Sequence, residues 1–178
     1  ATTGTVNFTP TDDSIYDAAS NETATIAING VSGKSGVAEH GTPQTVTITI
    51  TDNESAPTVT LAAASSSIDE NSGSTITLTA TLSGATYQDV TVSIDGTGGT
   101  GTEGTDFGTV SDITISAGAT TGTVTFDPTD DSIYEGNETA GISVSGVSGG
   151  GASESGTQAV TITITDNETT APTVTLAT

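Results

Sequence analysis

The sequence predicts an all-β fold: a seven-stranded, Ig-like antiparallel β-sandwich set in a tandem array. Three observations predict it. Short runs alternate apolar residues with Thr, as in Thr75-Ile76-Thr77-Leu78-Thr79-Ala80 and Val160-Thr161-Ile162-Thr163-Ile164-Thr165. That period of two puts one face on a core and the other in water. The 22 glycines punctuate the chain at the spacing of turns between short strands. The third observation is that the chain repeats its own words, which is the signature of an array.

Ala-Thr-Thr-Gly-Thr-Val at 1–6 returns at 119–124, and Pro-Thr-Asp-Asp-Ser-Ile-Tyr at 10–16 returns at 128–134. Asn-Glu-Thr-Ala at 21–24 returns at 137–140, Val-Thr-Ile-Thr-Ile-Thr-Asp-Asn-Glu at 46–54 at 160–168, and Ala-Pro-Thr-Val-Thr-Leu-Ala at 56–62 at 171–177. The offset drifts between 118 and 114, so insertions fall between the matched words, where surface loops tolerate them. The words divide the chain into the C-terminal half of a repeat (1–55), a complete repeat (56–170) and the first strand of the next (171–178). Within the complete repeat, strands are expected near 57–62, 75–82, 89–95, 111–116, 121–127, 139–145 and 158–165. Seven short strands in about 110 residues fit an Ig-like sandwich. Its large aromatics are Tyr87, Phe107, Phe126 and Tyr134, so the core must be built mainly of Val, Ile, Leu and Ala.

Charge narrows the function. One Lys or Arg stands against 22 Asp and Glu, a net charge of −21. Nothing here neutralises phosphates, which excludes nucleic acid and anionic membrane surfaces as partners. No apolar run is long enough to insert in a bilayer. With no cysteine, disulfides and zinc-thiolate centres are impossible. Two carboxylates 4 Å apart repel by roughly 4 kcal/mol at an effective dielectric near 20. Several such pairs rival the ~5–15 kcal/mol by which a domain is stable. Bound divalent cations offset that repulsion and supply a staple that a thin core lacks.

The acids gather at four predicted strand ends: Asp69-Glu70-Asn71, Gly104-Thr105-Asp106-Phe107, Asp130 through Glu138, and Asp166-Asn167-Glu168. Loops distant in sequence converge at one end of a sandwich, and calcium takes six to eight oxygens. The competing reading is that the acids cap turns, but turn capping does not explain recurrence at matching strand ends.

In this order the words resemble the Calx-β motif, a family that includes regulatory domains of sodium–calcium exchangers and repeats of large bacterial surface proteins. The resemblance covers about 57–168, and the second half of the motif in 1–54. It implies a calcium site built from Glu70, Asp106, Asp131, the Ile133 carbonyl, Glu135, Glu138, Asp166 and Glu168, with Asp130 a further candidate. The first copy carries the equivalents Asp13, Ile15, Asp17, Glu22, Asp52 and Glu54, without counterparts of Glu70 and Asp106. Ser132 and Asn167 stand where tighter sites of the family have Asp, which implies fewer ions and weaker binding.

The resemblance also implies a setting: the surface of a bacterial cell, in a repeats-in-toxin adhesin of the kind that builds biofilms. There the repeats would be calcium-stabilised extenders, touching their neighbours in the chain. The alternative is a module that reads a glycan or protein through calcium, anchored on Tyr87 or Tyr134. An enzyme is not expected, because the complete repeat contains no His for a Ser-His-Asp set and few aromatics to hold a sugar. The Thr arrays are read as strand formers rather than an ice-binding face, and the Asn-x-Ser/Thr sequons as a by-product of Thr-rich composition. Residues 1–55 are expected to expose core and sheet edges, which another chain could complete, with 171–178 as a candidate covering strand.

Overall fold

The computed structural model describes residues 3–17, 22–41 and 44–177. Residues 1, 2 and 178 of the segments delimited above, and Asn21 of the repeated Asn-Glu-Thr-Ala word, lie outside them. The strands are β1 (Ile15–Tyr16), β2 (Glu22–Ala27), β3 (Thr45–Ile50), β4 (Thr58–Ala63), β5 (Ser67–Asp69), β6 (Ile76–Leu82), β7 (Ala85–Thr86), β8 (Val90–Gly99), β9 (Ile113–Ile115), β10 (Thr121–Phe126), β11 (Glu138–Ser148), β12 (Ser153–Glu154) and β13 (Ala159–Thr165). A 3₁₀ turn, Glu70–Ser72, follows β5.

Residues 57–165 form a β-sandwich. One sheet has the order β10-β6-β4-β12 and the other β5-β13-β11-β8-β9. All seven strands expected in this region are present. Three further strands, β5, β7 and β12, are two or three residues long and carry too little alternation to be seen in sequence. All three pair in parallel, β5 with β13, β12 with β4 and β7 with β1.

The alternation does what period two requires. Along β6, Ile76, Leu78, Ala80 and Leu82 are buried while Thr77 and Thr81 are exposed. These side chains, with Val59 and Leu61 of β4, meet Val90, Val92, Ile113, Ile115, Ala140, Ile142, Ile162 and Ile164 from the opposite sheet. Burying each of the larger ones contributes about 1.5–3 kcal/mol. The two aromatics of the core, Phe107 and Phe126, stack at 5.1 Å between ring centroids, tilted by 35°. Every buried core residue lies between Val59 and Ile164, so this sandwich holds its core without the N-terminal segment.

Close backbone approach requires glycine at three positions of β8 and β11. Gly99 sits at φ +99, and a Cβ there would come within 2.1 Å of the Thr139 carbonyl oxygen. Gly98 and Gly141 face each other across β8 and β11, where a Cβ on Gly141 would lie 2.8 Å from the Gly98 backbone. The pairing is therefore tight, and two register shifts along it, between Gly141/Ser143 and Val144/Gly146, bend β11.

The N-terminal segment pairs β2 with β3 in antiparallel fashion, Glu22 opposite Ile50. The matching words of the sandwich pair in the same register, Glu138 opposite Ile164. Burial differs. Phe126, Ile142 and Ile162 are fully buried, whereas Phe8 is 39% exposed and Ile26 and Ile48 are only half-buried. Val46 is 62% exposed. The same local words thus form the same hairpin, but no second sheet covers it among the described residues.

Candidate metal centre

Strand pairing brings the acidic words together. The β5–β13 register ends with Asp69 opposite Thr165, so Glu70 and Asp166 emerge side by side. The β11–β13 register begins with Glu138 opposite Ile164, which puts Glu138 at the same end. The Gly-Thr-Asp-Phe loop is anchored through Phe107, fully buried, whose carbonyl accepts the Gly104 N–H at 2.8 Å. Asp106 next to it closes its own loop: Oδ2 accepts the Thr102 N–H at 2.6 Å. The Asp106 carbonyl also accepts the Thr129 N–H at 2.9 Å, joining this loop to the start of the central acidic loop.

Two groups of three carboxylates result, Glu70–Asp166–Glu168 and Asp106–Glu135–Glu138. Within each group one oxygen per residue lies within 4.8 Å of the others. Asp166 organises the first. Its Oδ2 accepts the N–H of Glu135 at 3.0 Å and of Gly136 at 2.6 Å, and Oδ1 accepts the Glu168 N–H at 2.8 Å. Partial loss of water pushes the Asp166 pKa up, but these backbone donors outweigh it and hold the carboxyl below its ordinary value.

The glutamates respond the other way. Loss of water, then contacts with Asp166 and Glu70, push Glu168 up to about 7. Glu138 is raised by loss of water and then by the charge of Asp106; Glu135 is raised by loss of water and then by Asp106, Asp131, Glu70 and Asp166. Because Glu135 feels members of both groups, the two are one electrostatic site. Oxygen-only donors crowded beyond what their charges tolerate suit a hard divalent cation.

Of the nine positions read from sequence in this region, the groups contain Glu70, Asp106, Glu135, Glu138, Asp166 and Glu168. The carboxylates of Asp130 and Asp131 stand outside them. Asp130 is exposed, and Asp131 spends Oδ1 on the Ile133 N–H at 2.6 Å, a turn bond. The part of Asn167 was missed. Its backbone N–H donates to Glu70 Oε1 at 3.3 Å. Its side-chain amide, oriented by its neighbours, donates to Glu168 Oε2 at 2.9 Å and to Glu70, and accepts from Asn71 Nδ2 at 3.0 Å. A neutral donor there relieves acid–acid repulsion, a role that the repeated Asp-Asn-Glu word could have suggested.

The first copy folds by the same local bonds. Asp13 Oδ1 accepts the Ile15 N–H at 2.8 Å, Asp52 Oδ2 accepts the Asp17 N–H at 2.8 Å, and Asp52 Oδ1 accepts the Glu54 N–H at 3.2 Å. Asp13, Ile15, Asp17, Glu22, Asp52 and Glu54 line one cavity of about 360 Å³ together with Tyr87. Among the described residues of 3–55, no three carboxylates come as close as the two groups above. Glu54 is raised by its contact with Asp52, and Asp52 is lowered by the same contact and by the Asp17 N–H.

An antiparallel sandwich with acidic loops gathered at one end defines the class. The Calx-beta domain model matches residues 52–168, more than half of the chain, and the chain belongs to that family. Among solved structures, the apo-form Calx CBD1 domain is similar at a TM-score of 0.52 and 20% identity, over 62% of this chain and 99% of that one. CBD12 from CALX1.2 is similar at 0.49 and 22% identity, over 57% of this chain and 41% of that one. At these identities the likeness is one of fold. Curated protein sequences contain no match.

Proposed function

We propose that this chain is a calcium-stabilised extender from an extracellular adhesin of the repeats-in-toxin type, and that it has no catalytic role. The observation that carries the reading is the pair of carboxylate triads, three of whose glutamates are pushed toward the neutral form. Crowding of that kind costs stability unless a cation pairs with the oxygens. Glu70, Asp166 and Glu168 would hold one ion and Asp106, Glu135 and Glu138 another. Each ion would supply the charge that lets both groups ionise fully.

The extender role is supported by the internal repeat. The acids of each copy stand just before an Ala-Pro word, at 56–57 and 171–172, where one repeat hands over to the next. Calcium at these ends would stiffen the string and hold a distal domain away from a cell surface. Thermal unfolding across a calcium titration tests the first half of the proposal, because a ligand bound only to the folded state raises the midpoint. A midpoint indifferent to calcium would end it. X-ray scattering with calcium and with chelator tests the second half: the maximum dimension is expected to grow with calcium, and an unchanged value removes the extender role.

A further inference from the structure

The two acidic loops have the same internal geometry but different surroundings. In the first, Ile15 and Tyr16 form β1, which pairs in parallel with β7: Ile15 opposite Ala85 and Tyr16 opposite Thr86. The Tyr87 N–H donates to the Tyr16 carbonyl at 3.0 Å. Ile15 and Tyr16 are half-buried there, and Ser14, Tyr16 and Glu54 face Ser83, Gly84 and Ala85 across a cleft. In the second loop the same dipeptide, Ile133–Tyr134, has no strand partner among the described residues, and its side chains are 61% and 43% exposed.

We propose that Ile133–Tyr134 is a docking edge for another copy of the repeat, taking that copy's Ser83–Gln88 turn by parallel two-residue strand addition. This rests on the extender reading and names the surface through which successive repeats would meet.

Three observations point to a repeat as the occupant. The chain itself seats such a turn on the equivalent dipeptide. The edge is held ready by the same bonds in both copies, upstream from Asp13 or Asp131 and downstream from Asp52 or Asp166. The turn is also uncharged from Ser83 to Gln88, so it can approach a loop dense in carboxylates without further repulsion. Its backbone is fixed from within, because the Thr86 side chain is fully buried and its hydroxyl donates to the Gln88 carbonyl at 2.6 Å. The words behind the two loops match as well: Ala56–Ala62, whose Thr58 carbonyl accepts the Ser83 N–H of the turn at 2.9 Å, recurs as Ala171–Ala177.

Main-chain pairing supplies the attraction, and tethering within a chain raises it by effective concentration. A trans complex of two residues' width is weak, so the test traps it. The chain has no cysteine, and single thiols report position cleanly. Full chain carrying Ile133→Cys is mixed with residues 56–178 carrying Ala85→Cys, whose turn is free and whose core is complete. Under mild oxidation the mixed disulfide is expected to form at least tenfold faster than with Thr123→Cys, an exposed position on the outer face of β10.

Equal rates would overturn the proposal. So would failure of the double variant Ile15→Cys/Ala85→Cys to close its disulfide within the full chain, since the template joint would then not exist. Each arm is run with calcium and with chelator. Trapping at 133–85 in a protein whose midpoint ignores calcium would keep the docking edge and retire the calcium reading. Loss of selectivity in a calcium-sensitive protein would do the reverse.

Discussion

Glu168 carries the clearest chemical signature in the molecule. Its folded-state pKa of about 7 stands above the ordinary 4.5 of a glutamate, so between those values the folded chain keeps a proton that the unfolded chain has lost. Stability from this group is therefore fully present below about pH 4.5 and lost as pH rises through about 7. Glu135, Glu138 and Glu54 are raised as well and act in the same direction. Asp166 and Asp52 are lowered and act oppositely, with stability present above 3.8 and lost only as pH falls below it. In chelator, the unfolding midpoint should fall between pH 5 and pH 8. In saturating calcium that fall should vanish or reverse, because the ion needs deprotonated ligands. Glu168→Gln should raise the ion-free midpoint at pH 8 and shrink the calcium response. Scanning calorimetry at the two pH values reads all of this, and a flat ion-free midpoint would contradict the crowding argument. Most of the acids were legible in the sequence because their words repeat, and Glu70 and Asp106, which have no counterpart in the first copy, through the order of the acidic words. The proton-sharing among them was not, since it depends on which oxygens the strand registers bring together. Asn167 illustrates the gap: from sequence it was a missing charge, and in the fold it is a donor to two of the carboxylates.

The strands with clear alternation were legible in sequence, down to the three-residue β9, and the short strands β5, β7 and β12 were not. The omission matters most for β5, because its parallel pairing with β13 carries Glu70 to Asp166. One apolar residue, Ile68, is too little for a pattern argument. Loops follow the same division. The Gly-Thr-Asp-Phe word was legible as a candidate loop, but its attachment was not. Phe107 is fully buried, stacks on Phe126 and forms bridges with Glu103 and Pro128, so the loop that carries Asp106 hangs from the core. Phe107→Ala should therefore cost about 3–5 kcal/mol, the usual loss for a buried aromatic. It should also weaken the calcium-dependent gain, because Asp106 loses its anchor. Urea unfolding with and without calcium separates the two effects. A variant that loses stability yet gains as much from calcium as the parent would show that Asp106 is placed by its own loop bonds instead.

At the scale of the whole molecule the chain contains its own control experiment. β2 and β3 share words with β11 and β13 and pair in the same register, yet among the described residues a second sheet covers one hairpin and not the other. Local propensity is nearly equal in the two, so any difference in their stability reports tertiary burial alone. Exposed core positions in the N-terminal segment were expected from the repeated words; the resting of Ile15–Tyr16 on the β7 turn was not, since that contact has no counterpart word. Opening of the covered hairpin has to expose Ala140, Ile142, Ile162 and Ile164, all buried in the core, so its amides should exchange only through global unfolding. Opening of β2–β3 exposes side chains already half in water, Ala24, Ile26, Ile48 and Ile50, and should occur locally at much lower free energy. Hydrogen exchange followed by mass spectrometry should find β2 and β3 exchanging at least a hundredfold faster than β11 and β13, a gap of roughly 2.7 kcal/mol. Calcium should narrow the gap only at Asp52 and the residues beside it, where the hairpin meets the acidic loop. Equal protection of the two hairpins would mean that β2–β3 is covered after all, and the copy that covers it would then be visible as a concentration-dependent change in mass.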